Sequence, residues 1–537
     1  MLPLGATAAT SFLTACGGGD DGTTASFVSA SFTSMAAPTL ANATAMATTT
    51  VGSTLNIKLS DESVRSYQLA YQPFFVTGDM VSDGKGGTIL SGGYYDINNK
   101  PIIDATVPGK ERHYFSDAPD GTSLLTVANP TVTGIKGKAV FAVVQFEYTT
   151  WAQDGKTGMY GKLPSPIAVL TLDQDQSTGK LSLVKYHNVD TSKVHGLWIT
   201  CGASLSPWGT HLSSEEYEPD AFSIASNDMF KAYSKNLYGD ETKANPYHYG
   251  HMPEVTVNPD GTGSIKKHYC MGRISHELVQ VMPDNRTALM GDDATNSAYF
   301  VFVADKEKDL SSGSLYVAKV GSGFSIDPSA NSSAALTWIK MGSATSAEIE
   351  QLANTLKPTD IMTVVSKDPA DASYTKIVAN GKTEWIKLNP GMEKAAAFLE
   401  THRYAAYLGA SAGFSKMEGT TVNIKDKIAY SALQNCQDSM VVGNASNVPG
   451  NGISIPKQLK AGVVMALNLK GGQKDTSGAA INSEWMPVDT KALLAGEDIA
   501  ADALGNTANP NKIANPDNLK FSEKMRTLFI GEDSGQH

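Results

Sequence analysis

The chain has 537 residues, 41% hydrophobic and 18% charged, enough apolar surface for a large core and too much for a disordered or collagen-like chain. Its 43 Lys and Arg against 54 Asp and Glu leave a net charge of −11 with no basic run. That excludes a nucleic-acid partner held by charge and suits the chain to divalent cations. The 49 Gly and 24 Pro, with abundant Thr, Ser, Asn and Asp, favour short strands and frequent turns, so a mainly β fold is expected.

In chain order, Leu13-Thr14-Ala15-Cys16 follows an apolar stretch and precedes Gly17-Gly18-Gly19-Asp20-Asp21, which resembles a bacterial lipobox. The reading is a lipoprotein signal over 1–16 with Cys16 lipidated as the sole membrane attachment, and hence an extracytoplasmic, periplasmic or outer-membrane location. No Lys or Arg precedes Lys58, so the signal lacks its charged start and is expected to be truncated. No later stretch reaches the roughly 18 apolar residues that a membrane helix needs. Residues 17–53, rich in Gly, Ala, Ser and Thr, read as a flexible tether. Residues 54–537 read as a single domain, expected as a monomer.

Ala139 to Phe146 and Ile167 to Leu172 are alternating segments that read as strands. Ala347 to Leu356 and Gly391 to Leu408 break the pattern and predict short helical insertions, and 501–515 predicts a long loop. One unit recurs as an acid, a strand, a turn and a second strand ending near acid. It runs from Glu277 to Asp293, from Glu418 to Asn435, and from Asp517 to Asp533. Repeated strand pairs of this size build propeller blades, and an acid opening each innermost strand would bring the copies together on the axis. Carboxylates gathered there would repel one another unless cations neutralised them. Apart from Cys16, the cysteines are Cys201, Cys270 and Cys436, too few and too scattered for a disulfide framework. A thiol left free is either buried in a core as a small apolar group or bound to a soft metal.

Four ordered blocks carry a resemblance. The first is Cys201-Gly202-Ala203-Ser204-Leu205-Ser206-Pro207-Trp208-Gly209-Thr210, running on to Glu215-Glu216. Tyr249-Gly250-His251-Met252-Pro253-Glu254 and Gly272-Arg273-Ile274-Ser275-His276-Glu277 form the second. The third is Gly409-Ala410-Ser411-Ala412-Gly413-Phe414-Ser415-Lys416-Met417-Glu418, and the fourth is Pro516-Asp517-Asn518-Leu519. In content and order they resemble the PhoX-type alkaline phosphatases.

That resemblance implies a six-bladed β-propeller with an axial iron and calcium cluster, hydrolysing phosphate monoesters outside the cytoplasm. It implies Cys201 as an iron thiolate, Glu277 and Glu418 as carboxylate ligands, and Glu216 with Asp292 or Asp293 serving the cluster or calcium. Soft thiolate selects a transition metal and hard carboxylates select calcium. Lys416 stands where the family has Arg. It keeps the charge without the bidentate fork, and it is the expected catalytic contact to phosphate. Other departures are Ser214 in place of a frequent Cys and the shifted Gly291-Asp292-Asp293. The chain also ends at His537, which is expected to leave the ring open at its C-terminal edge.

His276 reads as structural, because neighbours on a strand face opposite sides. His248 and His251 read as a polar rim, and Trp208 as core support behind Cys201. No Walker loop is present in the sequence. The alternatives to a phosphatase are a non-catalytic calcium-stabilised propeller that binds another molecule, and a propeller hydrolase acting on another ester.

Overall fold

Runs of Val, Ile and Phe favour extended backbone, and the Asp, Asn and Gly between them favour tight reversals. The computed structural model, which describes residues 25–36, 44, 48, 50–330 and 332–536, converts these runs into successive antiparallel meanders. β1 (Phe27–Phe32), β2 (Thr50–Leu59) and β3 (Val64–Ala70) form a three-stranded sheet. Part of the expected tether is therefore strand, because Phe27 and its neighbours pair in register with β2. Leu13 to Cys16 lie outside the described residues.

Four-stranded sheets follow. β4 (Pro119–Leu125), β5 (Lys138–Phe146), β6 (Ile167–Gln174) and β7 (Leu181–Asn188) form the first. β8 (Ser204–Leu205), β9 (His211–Leu212), β10 (Met252–Val257) and β11 (Gly263–His268) form the second. β12 (His276–Val281), β13 (Thr287–Asp292), β14 (Phe300–Lys306) and β15 (Asp309–Val320) form the third, which β16 (Ala334–Thr345) extends. β17 (Met417–Asn423), β18 (Ile428–Leu433), β19 (Val463–Lys470) and β20 (Asp489–Ala495) form the fourth, and Ala334 of β16 pairs with Thr490 of β20 to join it to the third. A hairpin of β21 (Pro516–Ser522) and β22 (Thr527–Glu532) follows.

The first strand of each unit is innermost. β4, β8, β12, β17 and β21 pack side by side in that order around one axis, as in a propeller. They line an axial cavity of about 470 Å³ that includes Ser123, Ser204, Gln280, Thr420 and Lys520. The outer strands bury Val, Phe, Met and Trp side chains between neighbouring sheets, with Trp338 and Phe300 almost wholly enclosed. The mainly β, propeller-like architecture expected from the repeat is the one observed.

Among the described residues, the longer helices lie in two insertions. α1 (Asp228–Tyr238) interrupts the second sheet. α2 (Ser346–Thr355), α3 (Glu393–Leu399) and α4 (Thr401–Tyr407) lie between β16 and β17, where helices were expected. Thr345 caps α2, accepting from the Glu348 amide while the Glu348 carboxylate reaches back to the Thr345 amide. A hairpin, Thr375–Ala379 and Lys382–Leu388, extends the insertion. Among the described residues, no helix is long and apolar enough to cross a membrane.

Candidate active site

The order of the inner strands decides which side chains meet. Each begins at the same end of the axis, and each brings an acid or a thiol at or near its start: Asp120 on β4, Cys201 just before β8, Glu277 on β12, Glu418 on β17 and Asp517 on β21. All but Glu277, which is buried behind them, border a pocket of about 410 Å³ that also receives Glu147, Glu216, Tyr217, Asp293 and Lys416. Three overlapping groups have ligand atoms within 4.8 Å of one another: Asp120, Glu147 and Cys201; Cys201, Glu216 and Glu277; and Glu277, Glu418 and Asp517.

The backbone aims these groups. Gly202 N–H donates to Glu277 Oε1 at 3.1 Å, and a Cβ on Gly202 would lie 2.5 Å from that oxygen, so only glycine admits the contact. Cys201 N–H donates to Ser214 Oγ at 3.0 Å, and that hydroxyl donates to Gly202 O at 2.7 Å, so the serine standing where the family often has a cysteine braces the Cys201 turn. Gln145 Nε2 donates to Gly202 O from the neighbouring sheet at 3.1 Å.

Alternation along an extended chain separates the paired glutamates. Glu215 turns into the core, where it pairs with Lys267 at 2.9 Å and accepts from the amides of Trp198, Gly250 and His251. Glu216 faces the pocket. The same alternation separates Asp292 from Asp293. Asp292 lies off the cluster, bonded to His402, whereas Asp293 lines the pocket beside Lys416. His402 donates from Nδ1 to Glu218 and from Nε2 to Asp292, each at 2.9 Å. Burial disfavours its charge, but the two carboxylates outweigh burial and hold its pKa at about 10.

Electrostatics set this pocket apart from a polar surface cleft. Burial, then Glu418 and Asp517, push the Glu277 carboxyl well up, and burial with Glu277 and Asp293 does the same to Glu216. Glu418 is raised by burial and Asp293 in spite of Lys416. Burial and Asp120 take Glu147 to about 8, and burial with Asp120 and Asp533 takes Asp517 to about 7. The Cys201 thiol is raised by burial and by Glu216 and Glu277. Glu277 Oε2 and Asp293 Oδ1 are buried without a hydrogen-bond partner, and Glu418 Oε1 has only the Lys416 ammonium, 3.2 Å away. Orphaned buried carboxylate oxygens beside a thiol form a donor set that fits metal ions, because cations supply the partner each oxygen lacks.

Lys416 is the pocket's cation. Its Nζ donates to Tyr217 Oη at 2.8 Å, contacts Asp293, and stands 3.2 Å from Glu418 Oε1. Burial lowers its pKa, but Glu418 and Asp293 overcome that and keep it above its ordinary range, so it stays charged. Lys416 and Tyr217 both have left-handed backbone, at φ 50° and 47°, a conformation that bulky residues adopt only under constraint.

Of the residues singled out in the sequence, Cys201, Glu216, Glu277, Asp293, Lys416 and Glu418 come together and Asp292 does not. Asp120 and Glu147 join them without any motif to announce them, and Asp517, a repeat marker within the fourth block, was not singled out as a ligand. His276, His248 and His251 face other partners: Gly272 O, Asn354 and Tyr247 O. Trp208, at a hairpin tip, packs against the apolar core and donates to the buried Glu254 at 3.0 Å. Among the described residues Cys201, Cys270 and Cys436 are all unpaired, with Cys270 and Cys436 buried in apolar cores.

A family model described as Alkaline phosphatase PhoX matches residues 174–537. No curated protein matches the chain. Among solved structures, the chain is similar to Pseudomonas fluorescens PhoX in complex with vanadate, a transition state analogue. Identity there is 18%, the match covers 79% of this chain and 75% of that one, and the TM-score is 0.49.

Proposed function

Because the chain belongs to the PhoX alkaline phosphatase family and is a phosphatase, we propose that it hydrolyses phosphate monoesters in the pocket ringed by Cys201, Glu216, Asp293, Lys416 and Glu418, with Glu277 behind them. The reading has calcium and iron as its cofactors and an extracytoplasmic site of action. The observation that carries it is the convergence of acids and a thiol from five inner strands, with two buried carboxylate oxygens, Glu277 Oε2 and Asp293 Oδ1, left without partners.

Cys201 with Glu216 and Glu277 would hold iron, because the thiolate selects a soft or borderline metal. Glu277, Glu418 and Asp517, and on the other side Asp120 and Glu147, supply the hard oxygens that calcium takes. Bound there, the ions would polarise the phosphate and stabilise charge that develops on its oxygens. Lys416 supplies a fixed positive charge at the same mouth. Asp293, Glu418 and the Tyr217 hydroxyl hold its ammonium in place, so little reorganisation is needed when a phosphate oxygen arrives. Gly202 N–H fixes one oxygen of Glu277 and leaves the other turned to the cluster.

Hydrolysis of an aryl phosphate by the full chain supplied with calcium and iron, beside the Glu418→Ala variant, tests this. Turnover that needs the metals and disappears in the variant is expected. A folded, metal-loaded protein that releases no phosphate would overturn the proposal.

A further inference from the structure

His211, at the start of β9, is fully buried and reaches across to two strands of the neighbouring sheet. Its Nδ1 lies 2.9 Å from Ser123 Oγ of β4, and its Nε2 lies 2.9 Å from Gln145 Oε1 of β5. Burial takes its pKa down to about 3, so the ring is neutral, with one N–H and one bare nitrogen. Gln145 decides which nitrogen holds the proton. Its Nε2 end faces Cys201 O and Gly202 O, the latter at 3.1 Å, and only an N–H can satisfy carbonyl oxygens. Gln145 Oε1 therefore faces His211, which donates to it from Nε2, and the Ser123 hydroxyl donates to Nδ1.

These bonds all run one way, toward the metal-ligand pocket. Cys201 O and Gly202 N–H belong to one planar peptide group and point to opposite sides of it. The oxygen accepts from Gln145 Nε2, and from Gly121 N–H at 3.1 Å, while the N–H donates to Glu277 Oε1 at 3.1 Å. Gly202 leaves that peptide free to turn over, because a residue without a Cβ accepts either sign of φ. Turned over, the peptide would set its oxygen against the Glu277 carboxylate. Reversal of the Gln145 amide would favour that, by setting Oε1 against Cys201 O and Gly202 O. The His211 N–H opposes the reversal, since it would then meet the Gln145 NH2 group.

We propose that His211 is a positioning residue for the metal-ligand pocket: by fixing which end of the Gln145 amide faces the Cys201–Gly202 peptide, it keeps that peptide's N–H on Glu277 and the Cys201 turn in place. The inference rests on the reading of that pocket as a metal site, and adds to it a residue that hydrogen-bonds to none of the ligands.

Two substitutions divide the ring's contacts. His211→Gln places an amide N–H near the Nε2 position and keeps the donor to Gln145, whereas His211→Asn reaches only the Nδ1 position and keeps the contact to Ser123. Calcium titrated calorimetrically into the full chain is expected to bind His211→Gln about as tightly as the unaltered protein. It is expected to bind His211→Asn roughly tenfold more weakly, the usual cost of releasing a group that orients a metal ligand. In the metal-free chain, iodoacetamide is expected to alkylate Cys201 faster in His211→Asn than in His211→Gln, while Cys270 and Cys436 stay buried. Gln145→Met removes the amide at similar length, is expected to match His211→Asn, and supplies the same comparison where His211→Asn does not fold.

A merely structural histidine would lower the melting temperature in both His211 variants and leave them equal in calcium affinity. That equality, in a chain whose unaltered form binds calcium, would overturn the inference and leave the metal reading standing. An unaltered chain that binds no calcium would overturn the metal reading. The alkylation rates would then decide the role of His211 in holding the Cys201 turn, and equal rates would overturn it.

Discussion

Lys416 is held in the left-handed region by what its ammonium touches, so its position depends on Asp293, Glu418 and Tyr217 together. Lys416→Met removes the charge at similar length and is expected to lower kcat/KM roughly 10²–10³-fold, the typical loss for one preorganised electrostatic contact. Lys416→Arg restores the charge with a fork suited to phosphate and is expected to recover most of that loss. A Met variant with unchanged kcat/KM would remove Lys416 from the reaction. Residue by residue, legibility followed local motif density. Cys201, Glu277 and Glu418 sit in crowded motifs and could be read. Asp292 and Asp293 could not be told apart, because which of two adjacent side chains faces the axis depends on a strand phase that spacing alone leaves open. Asp120 and Glu147 carry no such motif, and both precede residue 174, where the family match begins.

Strand packing makes glycine a functional requirement at this axis. A Cβ on Gly419 would lie 2.4 Å from Asp517 O, and one on Gly202 would lie 2.5 Å from Glu277 Oε1, so β17 meets β21, and the turn before β8 meets β12, too closely for a side chain. Gly202→Ala meets the movable end of Glu277, and the carboxylate can yield by swinging away. The expected result is a folded protein, destabilised by about 1–3 kcal/mol, with at least tenfold weaker calcium affinity, read by thermal melting and calorimetry. Unaltered calcium binding would show that Glu277 is not a ligand. At this scale the repeat was a good guide, since the frame acid, strand, turn, strand gave β12, β17 and β21 as inner strands. It did not reveal that β4 and β8 complete the set, because their units open on Pro119-Asp120 and on Cys201, outside the repeated pattern. Nor did composition show that β1 pairs with β2, since a Ser- and Ala-rich strand on a small outer sheet resembles a linker.

For the whole molecule, gathering buried acids on one axis opposes folding until cations arrive. Asp517 titrates at about 7 and Glu147 at about 8 in the folded protein, while ordinary carboxyls titrate near 4. A carboxyl whose folded pKa is raised contributes stability that is fully present below its unfolded value and is lost as pH rises through the folded value. Protonated, these groups fit the crowded pocket, and ionised they repel. The metal-free protein is therefore expected to lose stability from about pH 4 to pH 8, by at most ~1.4 kcal/mol per pH unit for each group in its window, less where water at the pocket mouth screens it. Glu216, Glu277 and Glu418 are also raised, so they act in the same direction. Calcium reverses the sign, because its ligands must be deprotonated to bind, so binding strengthens as pH rises. Melting curves from pH 5.5 to 8.5 should fall with pH in chelator and rise or flatten with calcium. If the chelated protein instead grew more stable across that range, the axial carboxylates would already be neutralised within the chain, and the reading of the pocket as a cation site would fail.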